Sequence, residues 1–422
     1  MKIVNNPAKE FWGALCQRPQ LNLAYLEGSV KNILARVKAS GDAALQELTL
    51  QFDKMKLENM RVSEQEIQDG IASVSTELKN AIELAAKNIE TFHTIQKRDV
   101  VKVETTPGVV CWRKAEPIQR VGIYIPGGSA PLFSTVLMLG VPAKLAKCEE
   151  VILCTPPDRN GKVNPAILFA ANITGITTIF KIGGAQAIAA MAYGTESVSP
   201  VYKIFGPGNQ YVTKAKQLVN LEGTAIDMPA GPSEVLVFAD EHADPSYIAA
   251  DLLSQAEHGA DSQVMLVTSS EGIVQKVLEQ ISIQIEKLPR KQIAGEALQN
   301  SRSIILEKEK AIEFINQYAP EHLIINTTDC DELVDKIRNA GSIFLGPFTP
   351  ESAGDYASGT NHTLPTNGFA KSYGGISLES FLKYITVQKI SKEGLNNLGP
   401  TIELMAQAEH LTGHASAIQV RR

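Results

Sequence analysis

Gln255 and His258 stand three residues apart at the end of PSYIAADLLSQAEHG (245–259). The apolar residues of that stretch, Ile248, Ala249, Leu252, Leu253 and Ala256, recur at helical spacing. An amide and an imidazole three apart on a helix share one face. Both would project from its tip, and Gly259 would let the chain turn away behind them. Many helices end in such groups with no further role. The same groups are ligands for zinc or another borderline divalent ion.

Other candidates lie downstream. Six of the seven histidines follow residue 240, and several adjoin a carboxylate, among them Glu257-His258, Glu321-His322 and Glu409-His410. Asp355 falls in ESAGDYASGTNHTLPTNGFAKSYGG (351–375), a long loop of the kind that tends to be functional or mobile in compact domains. Together these residues are compatible with a metal site of amide, carboxylate and imidazole groups. Ligands so far apart form no local motif, so spacing leaves the question open.

Glycine turns form a second group: Pro126-Gly127-Gly128, Gly183-Gly184 and Gly206-Pro207-Gly208-Asn209. Each follows a short apolar run, where a parallel sheet binds its ligand at the carboxyl ends of strands. A helix N-terminus after such a turn suits a pyrophosphate. No GxGxxG occurs, since Gly206 to Tyr211 fails at its last position, and tight packing turns are the competing explanation. Cys16, Cys111, Cys148, Cys154 and Cys330 are scattered, without a CxxC pair or an adjoining base. They read as inert thiols of a reducing compartment, with neither a disulfide framework nor a thiolate zinc site.

These residues need elements to position them. Residues 1 to about 95 read as amphipathic helices, as in EQEIQDGIASVSTELKNAIELAAKNIETFHTI. DVVKVETTPGVVCWRKAEPIQRVGIYIPGG then reads as a hairpin leading into a new unit. From about 120, the strands EEVILCTPP, TTIFKIGG and VYKIFGPG alternate with helices, which implies a parallel sheet covered on both faces. After the join IDMPAGPSE the rhythm restarts with EVLVFA, QVMLVT, RSIILE, HLIIN and SIFLG. No clean internal repeat is visible. The expected fold is α/β, two tandem Rossmann-like parallel-sheet units between a helical N-terminal region and a helical C-terminal tail. The expected division is 1–118, 119–228, 229–377 and 378–422.

The 422 residues are 44% hydrophobic and 20% charged, enough for a large core and for two or three domains. A formal charge of −6 without a basic run argues against a nucleic-acid partner. The start MKIVNNPAKEFWGAL lacks the order of a signal peptide. No apolar run approaches the ~18 residues of a membrane span, so a cytoplasmic location is expected.

With these residues laid out, IDMPAGPSEVLVFADEHADPSYIAADLLSQAEHG (226–259) closely resembles the signature of the L-histidinol dehydrogenase family. So do RVGIYIPGGSAPLFSTVLMLGVPAKLA, KIGGAQAIAA, FGPGNQYV, APEHL, SAGDYASGTNHTLPT and AEHLTGH, in order along nearly the whole chain. The resemblance implies oxidation of L-histidinol to L-histidine with two NAD+, by a homodimer holding one zinc ion per subunit. It implies Gln255, His258, Asp355 and His414 as zinc ligands. It implies substrate contacts from Ser233, His322 and Glu409 together with those ligands, and Glu321 and His322 as the acid–base pair. Tyr124, Gln186 and Asn209 would line the NAD site, and the tail would reach the partner subunit. The metal would anchor the substrate's imidazole and amino nitrogens. His410 departs from the family's pattern, in which a different basic residue stands there. Spacing alone would pair His410 with His414 at i, i+4; the resemblance prefers Glu409 and His414, with Gly413 breaking the helix.

Two other classes use the same ligands. A zinc metallohydrolase would generate hydroxide and need no dinucleotide. A non-catalytic, zinc-stabilised binding protein would take up metal without turnover.

Overall fold

Two apolar runs, Val121–Ile125 and Val235–Ala239, supply the central strands of two parallel sheets. The computed structural model describes residues 1–19, 23–127, 131–229 and 231–422, so Gly128 of the first glycine turn lies outside the described residues. In chain order the strands are β1 (Lys2–Asn5), β2 (Lys102–Thr106), β3 (Val109–Pro117), β4 (Arg120–Tyr124), β5 (Glu150–Thr155), β6 (Thr178–Lys181) and β7 (Lys203–Phe205). They continue as β8 (Ala225–Ile226), β9 (Glu234–Ala239), β10 (Gln263–Thr268), β11 (Arg302–Ile305), β12 (His322–Asn326), β13 (Ser342–Leu345) and β14 (Leu382–Ile390).

The first parallel sheet has the order β6-β5-β4-β7-β8, and the second β1-β11-β10-β9-β12-β13. Numbered within its own unit, each winds 3-2-1-4-5. The same topology occurs twice, although the sequence shows no repeat. Winding needs only apolar strands alternating with helices, and many sequences satisfy that pattern. In both sheets the chain reverses its winding at the central strand, which opens a crevice there. Every residue of β9, β10 and β12 is buried, so their polar members Glu234, Gln263, Thr268, His322 and Asn326 must find partners inside the protein.

The expected strands between 120 and 345 are present, and the hairpin is β2 with β3. The terminal regions differ from the reading. Lys2–Asn5 is not helical but forms the edge strand β1 beside β11. The C-terminal region is not all helical: after the 3-10 turn Leu378–Phe381, β14 runs antiparallel to β3, from Leu382 opposite Pro117 to Ile390 opposite Val109. Its β-branched centre, Ile385-Thr386-Val387, favours that state. The helices Leu23–Phe52, Glu64–Ser73 and Thr76–Thr94 pack on the helices of the first sheet.

Two local expectations are corrected. The helix that begins at Pro245 ends at Ala256, so His258 lies in the following turn with its N–H on Gln255 O at 3.2 Å. That turn needs no left-handed residue at Gly259. In the tail, the helix Lys392–Ala408 stops at His410, whose φ is 60°. His410 N donates to Gln407 O at 3.0 Å and Leu411 N to Ala406 O at 2.8 Å, a left-handed C-terminal cap. Gly413 lies inside the next helix, Thr412–Gln419, and does not make the break. His410 and His414 therefore belong to different elements and form no i, i+4 pair.

The turn after β7 presses against β4. Gly206 has φ 119°, and a Cβ there would overlap the carbonyl oxygen of Tyr124. Gly206→Ala should therefore destabilise the protein by roughly 3 kcal/mol through strain and overlap. Urea unfolding reads this directly; an unchanged midpoint would mean that the turn relaxes freely.

Candidate active site

The helix Pro245–Ala256 follows β9 and runs back across the sheet, so its end delivers Gln255 and His258 to the amino ends of the strands. Glu234 opens β9 and His322 opens the neighbouring β12, with His322 opposite Val235 in register. The Glu234 carbonyl accepts from Gln255 Nε2 at 3.1 Å and lies 3.1 Å from His322 Nδ1. Gln255 Nε2 lies 3.1 Å from His322 Nδ1 as well, so the three groups form one cluster; a carbonyl has two lone pairs and can take a proton from each nitrogen. The Glu234 N–H donates to Glu321 Oε2 at 2.8 Å, which places that carboxylate 3.6 Å from His322 Nδ1.

With Nδ1 committed, His322 Nε2 faces Asp355 Oδ1 at 3.3 Å. Asp355 and Glu351 stand four apart on the helix Glu351–Tyr356, hence on one face. The donor atoms of His322, Glu351 and Asp355 lie within 4.8 Å of one another. Gln255 Oε1 and Glu351 Oε2 are buried without a hydrogen-bond partner, while His322 Nε2 and Asp355 Oδ1 have only each other. Each such atom costs about 1–3 kcal/mol. Three oxygens and one imidazole nitrogen form a donor set that fits a borderline divalent ion.

The electrostatics are strongly coupled to burial. Burial alone would lower the His322 pKa, but Glu351, Glu321 and Asp355 hold it well above the usual imidazole value. Burial lifts Glu351 well above the carboxylate range, with Asp355, Glu321 and Asp251 adding to the rise against the pull of His322. Burial also pushes Asp251 up to about 7, and it raises Glu321 despite His322 and the Glu234 N–H. Asp355 goes the other way. Its burial is outweighed by His322, His362 and His258, which hold it ionised. Burial lowers His258, helped by His322, His362 and Arg290 against Asp355, and favours the neutral imidazole that ligation requires.

His362 bridges the units: Nδ1 lies 2.8 Å from Asp355 O and Nε2 2.9 Å from Thr135 Oγ1. Thr135 is in the first turn of the helix Phe133–Ala146, at the carboxyl edge of the first sheet. That edge carries the glycine turns. Gly127 and Gly183 both pack on Pro156, and Gly206 packs on Tyr124. Tyr124 Oη accepts from Gly184 N at 3.0 Å, and burial pushes its phenol up to about 12. Gln186 is buried in the first turn of the helix Gly184–Tyr193. Asn209 caps the helix Gln210–Leu221, accepting from Tyr211 N at 3.0 Å and Val212 N at 3.2 Å.

Gln255, Glu321, His322 and Asp355 thus meet at one point, with His258 in electrostatic reach and Ser233 next to Glu234 at the rim. The chain does not bring its own Glu409 and His414 there. Both are exposed on the C-terminal helices, beside exposed Leu404, Met405 and Leu411. Glu351, Asp251 and Glu234 were missed by sequence reasoning. The four-residue spacings of Glu351 to Asp355 and of Asp251 to Gln255 were the available clue. Cys16 and Cys148 fit the reading as inert thiols, since burial pushes them up to about 11 and about 12.

A family model described as histidinol dehydrogenase matches residues 16–422. A histidinol dehydrogenase of Bacteroides thetaiotaomicron is 58% identical over 422 residues, covering 100% of this chain and 99% of that protein. One of Vibrio vulnificus strain YJ016 is 53% identical over 412 residues, covering 97% and 95%. The crystal structure of histidinol dehydrogenase from Elizabethkingia anophelis superposes with a TM-score of 0.98 at 57% identity, covering 100% of this chain and 98% of that one.

Asp53 carries a separate signal beside the glycine turns. It directly follows the helix Leu23–Phe52, which packs on Gly184–Tyr193. Beyond burial, the Asp53 carboxyl is close enough to raise the Tyr124 phenol, whose Oη accepts from Gly184 N. Asp53 Oδ2 is buried and unpartnered, and burial pushes the carboxyl up to about 6. A raised acid costs nothing below the ordinary aspartate range, and its full cost is present above about pH 6. Asp53→Asn should therefore raise the melting temperature at about pH 8 and leave it unchanged at about pH 3.5. Equal shifts at both pH values would contradict this.

Proposed function

The chain belongs to the histidinol dehydrogenase family and catalyses the last step of histidine biosynthesis, and from that premise we propose how its residues divide the work. Zinc is held by Gln255, His258 and Asp355 of one subunit and the partner subunit's His414. NAD lies over the glycine turns at Tyr124, Gln186 and Asn209. Gln255 Oε1, buried and unpartnered, and the ionised Asp355 carboxylate within electrostatic reach of His258 carry this reading.

When bound, a zinc ion would supply positive charge that offsets the carboxylates raising His322 and an anchor for the nitrogen ligands of L-histidinol. NAD supplies the hydride acceptor. The chain's residues do the rest. Glu234 O holds His322 Nδ1, which leaves Nε2 to take the hydroxyl proton as hydride leaves the carbinol carbon. Glu321, fixed by the Glu234 N–H, takes a proton from the water that adds to the aldehyde. Its raised pKa makes it a better base than an exposed glutamate. The hydrate then gives up a second hydride, and the product is the carboxylate. Ser233, at the rim, and the partner's Glu409 complete the polar lining. An alcohol lacking the imidazole would leave those groups unpaired, which sets selectivity.

The homodimer follows from the same assignment. Glu409 and His414 are exposed and far in sequence from their proposed partners, and exposed Leu404 and Met405 suit burial against a second subunit. Residues 119–228 form the dinucleotide side and 229–377 the metal and substrate side. Five free cysteines suit the cytoplasm, and no helix of the described residues is long and apolar enough to cross a membrane.

Subunit mixing tests the shared site. His258→Ala and His414→Ala should each be nearly inactive and poor in zinc, because a lost ligand spoils the metal geometry. In a mixed dimer one site collects both defects and the other none. Random exchange should therefore restore about a quarter of wild-type sites, in activity and in zinc content. A mixture that stays inactive after verified exchange would assign each tail to its own subunit.

A further inference from the structure

Glu234 is buried, and all its polar groups are engaged. Its carboxylate is gripped by Arg18, which lies 216 residues earlier, with Nε on Oε1 at 3.0 Å and Nη2 on Oε2 at 2.8 Å. The side chains of this pair are 6% and 0% exposed. Arg18 is itself fixed. Nη1 donates to Cys16 O at 2.9 Å, Nη2 donates to Tyr318 O at 2.8 Å, and the guanidinium lies 3.6 Å from the centre of the Tyr318 ring. The Asn367 N–H adds a further bond to Oε1. On its other side the Glu234 peptide faces the site, its carbonyl taking Gln255 and His322 and its N–H holding Glu321.

A buried ion pair is a poor source of stability, because desolvation offsets most of the attraction. A bidentate guanidinium–carboxylate fork gives what an apolar pair cannot, a fixed carboxylate plane. We propose that Arg18 is a positioning residue for the metal and the acid–base pair, acting through the Glu234 peptide. The proposal rests on the zinc and His322 assignments above. A carbonyl held in this place accepts only N–H, so it turns Gln255 with Nε2 outward and Oε1 toward the metal. By the same logic it takes His322 Nδ1–H and leaves Nε2 for the substrate proton. It also sets the Glu321 carboxylate through the adjoining N–H. One arginine outside the site thus selects an amide rotamer, a tautomer and a carboxylate position.

The test uses the full-length dimer and reads zinc affinity by chelator competition alongside steady-state kinetics. Arg18→Lys keeps the charge and loses the fork. Arg18→Met combined with Glu234→Gln removes both charges and leaves no lone buried ion. Both proteins should remain folded by circular dichroism, bind zinc about 10-fold more weakly and lose about 10- to 100-fold in kcat, the range for residues that orient metal ligands. The KM for NAD should stay within about twofold, because the glycine turns do not touch this network; that unchanged constant separates positioning from general loosening. Wild-type zinc affinity and kcat in both folded variants would overturn the proposal. Asp355→Asn tests the underlying assignment: it should lose zinc, and retention of wild-type affinity there would overturn the metal reading and the Arg18 role with it.

Discussion

His322 is buried among Glu321, Glu351 and Asp355, and water cannot screen them. Two like charges 4.8 Å apart repel by roughly 3 kcal/mol even at an effective dielectric constant of about 20. The carboxyls therefore cannot all ionise unless positive charge joins them. Asp355 stays ionised among imidazoles, and Glu351 is driven toward its protonated form. A divalent ion relieves that imbalance more fully than protons can, because it meets several oxygens at once. The surrounding fold serves to hold this unbalanced cluster in place.

The fold does so with main chain as much as with side chains. Winding each unit 3-2-1-4-5 puts its first strand near the centre of its sheet, flanked on both sides. In the second unit the helix after β9 returns to the amino edge, and there the peptide of Glu234 meets Gln255, Glu321 and His322. In the first unit the glycine turns crowd the carboxyl edge. His362 ties that edge to Asp355. Hydride donor and acceptor can meet only if these two edges face one side.

Legibility in the sequence followed the physics of burial. Strands buried on both faces, such as β9 and β10, announce themselves as unbroken apolar runs. The strands β1 and β14 are largely exposed and carry no such run, so they merged with neighbouring helical patterns. Three-residue spacing pointed to one helical face for Gln255 and His258, but only Gln255 lies on the helix and His258 sits in the turn after it. Glu351 was equally legible by its four-residue spacing to Asp355. The part played by Glu234 could not be read at all, because a carbonyl and an N–H exist at every position. Glu409 and His414 entered through the family resemblance alone; nothing in their own spacing separates them from surface residues.

Anomalous diffraction at the zinc absorption edge, from crystals of the zinc-loaded dimer with L-histidinol, tests the central claim most directly. The account predicts one peak per subunit, bonded to Gln255 Oε1, His258 and Asp355 and to the partner's His414, with His322 Nε2 turned to the substrate. A peak bonded instead to His322 and Glu351, or placed away from Gln255, would contradict it.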